Sequence, residues 1–271
     1  MRIAFWSNVH GQTATTSNLV AISLMTALEY RLKVLITHNH FEKSTLESSI
    51  LEKQYIQNEN MELSESGIDA LARFIKSNKL DKDNIDNYTT NILTKKLDII
   101  RGTTHTNKDL YMNDFNNVIN QILSMAQAFY DVVFIDVSAG KNELSSKILK
   151  QSDIIVVNLC QNNSVLNDFF DNYKESLDKC IFLIGRYDQN SRYNKKNIMR
   201  KFNVRKNLCV VPYNIEFNDA CSDGKAVDFF MKNRNLSKDD LNYHFIDEVR
   251  NSVKLILSKA GIDITTKKLG D

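Results

Sequence analysis

Short apolar runs rich in β-branched residues alternate with longer amphipathic segments, and the alternation persists as far as residue 212. The runs are 2–6 (RIAFW), 33–37 (KVLIT), 97–101 (LDIIR), 131–136 (DVVFID), 153–159 (DIIVVNL), 180–185 (CIFLIG) and 208–212 (LCVVP). Most are apolar at consecutive positions, as strands buried on both faces must be. Helical patterns lie between them at 14–30, 66–77, 109–129, 143–150, 163–178 and 194–202. Strand and helix in this order predict a doubly wound, mostly parallel sheet in a three-layer α/β/α domain.

A last helical pattern at 238–260 sets Leu241, Phe245, Val249, Val253 and Ile256/Leu257 on one stripe that must pack on the same sheet. Two domains would fit 271 residues at roughly 150 each. No linker or repeat divides the chain, however, and the polar stretch 78–95 reads as an excursion, so a single domain over 1–271 is expected. Lys+Arg 35 against Asp+Glu 33 excludes a polycationic nucleic-acid coat, so any basic surface must be local. Cys160, Cys180, Cys209 and Cys221 form neither a zinc ribbon nor a CxxC and read as reduced core thiols. Without a signal-peptide pattern or an 18-residue apolar span, the expected place is the cytoplasm.

In an open parallel sheet the first strand-to-helix turn is the usual phosphate site. Here it reads Ser7-Asn8-Val9-His10-Gly11-Gln12-Thr13-Ala14-Thr15-Thr16-Ser17-Asn18. Amides at 12–15 would face an anion, Gly11 would allow close approach, and Thr13 would offer its hydroxyl to a metal. Against G-x-x-x-x-G-K-[ST], Trp6 stands for the first Gly and Gln12 for the Lys. The simpler alternative is that Thr15, Thr16 and Ser17 only cap a helix. The run 130–136 (YDVVFID) ends in Asp136, as a strand holding a magnesium-bound water must, and Ser138-Ala139-Gly140 follows it like a switch loop.

With these elements the chain resembles the ParA/MinD group of P-loop ATPases. That group's loop, K-G-G-x-G-K-T-T-x-x-x-N-L-A, is kept at Gly11, Thr13, Asn18-Leu19 and Ala21, and its P-x-D at Val211-Pro212-Tyr213-Asn214. The resemblance implies a homodimeric nucleotide switch that recruits a protein partner. ATP or ADP would lie on Gly11, Gln12, Thr13, Ala14, Pro212 and Asn214, and Mg2+ on Thr13 and Asp136. The departures concern charge: the family's lysines fall on Gln12 and Ser7, and its D-x-D acids on His38 and His40. Lost cations of this kind cost about 10³–10⁵ in rate, so weak or absent hydrolysis is expected, with Lys141 a conceivable substitute. His38, His40, Ser138, Gly140 and Lys141 form the expected switch region. His38 and His40 could alternatively present two imidazoles to a metal. Trp6 is expected to pack under the first helix.

Members lacking the lysines include TadZ-like localisation factors of pilus and secretion systems, which sit at the cell pole. Gly67-Ile68-Asp69-Ala70-Leu71, Leu97-Asp98-Ile99-Ile100 and Gly102-Thr103 are similar to that branch. A competing reading is a DNA-partition or conjugation-type ATPase. From 192 to 206 stand Arg192, Lys195, Lys196, Arg200, Lys201, Arg205 and Lys206 without an acid, which suits nonspecific DNA or an acidic partner as well as a solvated helix face. A third reading is a nucleotide-free pseudo-ATPase scaffold. The tail from 262 is too weakly apolar for a membrane-binding helix.

Overall fold

A computed structural model describes residues 1–41, 44–51, 66–77, 85–104, 106–173, 178–204 and 206–269. The chain runs β1 (Arg2–Trp6), α1 (Thr15–Glu29), β2 (Val34–His38), α2 (Thr45–Ile50), α3 (Gly67–Lys76), a 3-10 turn (Ile85–Tyr88), β3 (Thr90–Leu93) and β4 (Leu97–Ile99). It continues with α4 (Lys108–Phe129), β5 (Val132–Asp136), α5 (Glu143–Gln151), β6 (Ile154–Leu159), α6 (Asn163–Asn172) and β7 (Cys180–Tyr187). The last elements are α7 (Lys195–Phe202), β8 (Leu208–Pro212), α8 (Ile215–Ser222), α9 (Ala226–Lys232), α10 (Tyr243–Lys259) and the short α11 (Ile264–Lys267). Each apolar run of the sequence becomes a strand, in an eight-stranded sheet of order β3-β4-β2-β5-β1-β6-β7-β8. All neighbours are parallel except β3 on β4. The 78–95 excursion thus contains an edge strand that its polar sequence conceals, because only one side of β3 meets a partner.

Alternation along each strand sends side chains to two separate cores. Ile3, Phe5, Val34, Ile36, Val132 and Phe134 face α1, α2, α8, α9 and α10, whereas Ala4, Leu35, Val133 and Ile135 face α3 to α7. Helix α1 is apolar nearly all round and is buried from Asn18 to Glu29, held between the sheet and α10. Its sequence leaves it no solvent face.

Two expectations fail here for reasons of periodicity. Trp6 packs not under α1 but on the opposite face, because it shares the parity of Ala4. Its ring meets Phe169 and Tyr173 at 6.5 and 5.3 Å, and its Nε1 donates to the Gly140 carbonyl at 3.1 Å. Leu241 is 93% exposed, since α10 begins only at Tyr243, and Ile246 joins the stripe of Phe245, Val249, Val253, Ile256 and Leu257. Cys180, Cys209 and Cys221 are buried free thiols whose burial pushes their pKa up to about 12, while Cys160 is half-buried. Among the described residues no helix is long and apolar enough to cross a membrane.

Candidate functional site

The carboxyl ends of β1, β2 and β5 meet at the centre of the sheet, where Asp136 lies in register with both Phe5 and His38. Asp136 is wholly buried. Its Oδ2 accepts a hydrogen bond from the Thr16 hydroxyl at 2.7 Å and lies 3.3 Å from His40 Nε2. Among the described residues no hydrogen-bond partner reaches its Oδ1. Thr13, expected to share a cation with Asp136, instead turns its hydroxyl toward Thr15 at 3.1 Å. The reason lies in the start of α1: the helix opens at Thr15 behind Ala14, whose φ of 54° turns the chain left-handed, and the first hydroxyl that the helix aims at β5 is that of Thr16.

Ala14 also answers the capping alternative. It is the N-cap and has no side-chain cap hydrogen bond, so Thr15, Thr16 and Ser17 do not cap α1. The loop before it carries exposed His10, Gly11 and Gln12, with Gly11 at φ 70° and open space where a Cβ would stand. From behind, the loop is held rigidly. Asn18 donates from its buried amide to the Thr13 carbonyl at 3.1 Å and to Asn158 Oδ1 at 2.8 Å. Gly185 of β7 presses on the same place, since a Cβ there would stand 2.4 Å from the Thr13 oxygen. The Gly140 amide donates to the Ser7 carbonyl at 3.0 Å, tying the loop after β5 to the one after β1.

The histidines do different work from each other. His38 Nδ1 accepts the His40 amide at 3.2 Å, so its proton stands on Nε2, which faces Glu47 Oε1 at 3.1 Å. The Gly102 amide donates to the same oxygen at 2.6 Å, and a Cβ on Gly102 would stand 2.3 Å from the His38 ring. His38 is therefore a strut between β2, α2 and the segment after β4, with both nitrogens engaged. The two-imidazole metal alternative fails on the same geometry, and among the described residues no group of three His, Cys, Asp or Glu could hold a metal. Burial, the largest influence on Glu47, would raise its pKa. The hydrogen bond and charge of His38, the Gly102 amide and Arg101 outweigh it and hold the carboxyl below its ordinary value.

Beside Asp136 a cavity of about 200 Å³ is lined by His10, Asn39, His40, Lys108 and Ser138. Asn39 accepts the Ser138 amide at 2.7 Å and donates to Ser145 Oγ at 3.2 Å, so the Ser138 loop is fixed to α5. Lys141 does not turn toward the phosphate loop: it stands 4.7 Å over the ring of Tyr173, drawn by the ring's negative face. Sequence reasoning missed Thr16, Glu47 and Lys108. The spacing of Thr16 from Asn18 was visible, but the left-handed turn at Ala14 that selects it was not.

The base side is less developed. Ala14, Ser17, Asn18, Arg186, Pro212, Tyr213 and Asn214 surround a shallow, solvent-open hollow of about 10 Å³. Asn214 is consumed by the fold: its Oδ1 caps α8 through the Phe217 amide at 2.8 Å, and its amide donates to Asn242 at 2.7 Å. Tyr213 and Ile215 remain exposed beside it. Beside the β7 and β8 ends, α7 carries the basic segment, and the Lys195 amide donates to the Tyr187 hydroxyl at 3.1 Å. Arg192, Lys196 and Arg200 are exposed there, Lys195 pairs with Glu248 at 3.6 Å, and Lys201 bonds Asn163 and Asn167. Arg205 lies outside the described residues.

No protein-family model and no curated protein matches the chain. Among solved structures it is similar to a ParA family ATPase of Chlorobium tepidum, at 13% identity over 93% of this chain and 98% of that one, with a TM-score of 0.70. It is similar to MinD of Pyrococcus horikoshii complexed with Mg-ADP, at 15% identity over 97% and 100%, with a TM-score of 0.68. A protein of Borrelia burgdorferi described as a plasmid partition protein, bound to AMPPNP, matches at 16% identity over 95% and 98%, with a TM-score of 0.64. These likenesses establish the fold: this chain has the three-layer α/β architecture of the ParA and MinD P-loop ATPases.

Proposed function

We propose that the protein is a nucleotide-binding positioning factor, a homodimeric switch that docks a nucleoside triphosphate against residues 8–16 and recruits a protein partner, with weak or absent hydrolysis. The observation that carries this reading is the Asp136 carboxylate. It is wholly buried at the mouth of the sheet, with the Thr16 hydroxyl at 2.7 Å and His40 Nε2 at 3.3 Å from one oxygen, and no hydrogen-bond partner for the other among the described residues. A buried acid left in that state is costly unless a cation or donor completes it. The donor set of one carboxylate and one hydroxyl suits Mg2+. Asp136 and Thr16 would hold the ion, which when bound supplies positive charge against the phosphates.

The chain's own residues would then divide the remaining work. Amides at the uncapped start of α1 receive the phosphates, and Gly11 leaves the backbone open to them. That similar structures were obtained with Mg-ADP and AMPPNP supports nucleotide binding in general. Slow turnover is supported by His38, which stands where the resemblance puts a water-orienting acid but has both nitrogens committed to the His40 amide and Glu47. Localisation within a pilus or secretion apparatus rests on the sequence resemblance alone.

Isothermal titration with magnesium ATP tests the proposal. Binding is expected at submillimolar to millimolar nucleotide, abolished by Asp136→Ala and weakened about tenfold or more by Thr16→Val. Folded protein that gives no heat at millimolar nucleotide would leave the pseudo-ATPase scaffold. The partition reading has its own check: salt-dependent binding to unrelated duplex DNA that falls when Arg192, Lys196 and Arg200 are neutralised.

A further inference from the structure

At the far end of α1 from the phosphate loop, a second cavity of about 530 Å³ opens between α1, α10 and the C-terminal strap. Its charged lining is Arg234, Arg250, Lys254 and Lys268 against one acid, Glu29. That acid is buried and already engaged, since it accepts from Arg250 Nε. Arg250 also donates from its terminal nitrogen to the Arg234 carbonyl, which pins the guanidinium to the wall. Among the described residues no carboxylate forms an ion pair with Arg234, Lys254 or Lys268. Among the described residues three formal positive charges in excess therefore converge on one hollow, in a chain whose whole net charge is +2.

The walls are tied by backbone bonds. The Arg31 amide donates to Lys267 at 2.6 Å, the Leu269 amide donates to the Glu29 carbonyl at 2.8 Å, and Tyr30 bridges Lys268. Such a hollow is formed before any ligand arrives, and its volume is that of a small-molecule site. Like charges held together repel each other, and an anion with two or more charges relieves all of them at once.

We propose that this cavity binds a small, multiply charged anion of the phosphate-ester or diphosphate class. The site is separate from the nucleotide cleft by the length of α1, about 20 Å at 1.5 Å per residue, and it stands or falls independently of the proposed function. The test is a titration of the full-length, 15N-labelled protein with inorganic pyrophosphate, read at single amides. The Leu236, Lys268 and Leu269 amides are expected to shift saturably at millimolar pyrophosphate or below. The double variant Lys254→Gln/Lys268→Gln, whose exposed side chains leave the core intact, should raise the midpoint about tenfold or more. Thr16→Val should leave that midpoint unchanged, even where it removes shifts around residues 8–16.

Four results would overturn the proposal: no saturable shift at these amides up to about 20 mM, a range reserved for weak charge contacts; an unaltered midpoint in the double variant; shifts that Thr16→Val abolishes; or binding found only in a chain ending at Leu269, which would assign the excess charge to the chain's own last residues.

Discussion

The two halves of the central cleft differ in what their polar atoms do. On the phosphate side, Asn18, Asn158, Gly185 and the Thr13 carbonyl brace the loop from behind, and Asp136 keeps an oxygen that the fold does not use. On the side of Pro212 the corresponding side chain, Asn214, is spent on capping α8 and on Asn242, and the hollow beside it is shallow. A site is recognised by the polar groups a fold supports but does not consume. By that measure the two halves differ: polar groups stay open beside Asp136 and are consumed beside Asn214.

The largest effect expected from breaking this comparison is at Gly185. Gly185→Ala puts a methyl 2.4 Å from the Thr13 oxygen and 2.6 Å from Asn18 Nδ2, and should cost about 3 kcal/mol in urea unfolding while lowering nucleotide affinity. Asn18→Ala comes next, at about 2 kcal/mol, because it strands Asn158 Oδ1 in the core. On the base side, Asn214→Ala should cost about 1 kcal/mol as a lost cap and leave nucleotide affinity unchanged by titration calorimetry. An affinity loss as large as that of Thr16→Val would erase the distinction between the halves. Ala14→Gly should raise stability by about 1 kcal/mol, since a left-handed alanine is strained and glycine is not.

The smallest effect is one of pH. Glu47 has a folded pKa held below its ordinary 4.5, so its contribution is present above that value and is lost as pH falls through the lowered folded one. Glu47→Gln should therefore flatten the acid limb of the stability curve below about pH 4.5, measured by urea midpoints, and leave the neutral region with the loss of one strut.

The layers and most strand positions were legible because burial on both faces leaves an apolar run that needs no partner to be seen. Edge strand β3 escaped because one open side permits polar residues. At the site, Asp136 and the turn at 7–14 were readable from their place after apolar strands. Glu47 was not, because its link to His38 and Gly102 joins segments 9 and 55 residues away in the sequence. The expectation that Thr13 would face Asp136 rested on counting residues, and counting carries no information about a left-handed Ala14.

Periodicity and apolar content alone determined that the chain forms a parallel sheet between two helical layers, since both are local consequences of which side chains avoid water. Which hydroxyl meets Asp136, which face takes Trp6, and that Asn214 is spent on a helix cap and on Asn242 were decided only in the tertiary structure. Each depends on a backbone turn or a hydrogen bond between distant segments, and the energies of these are set by geometry that no single segment contains.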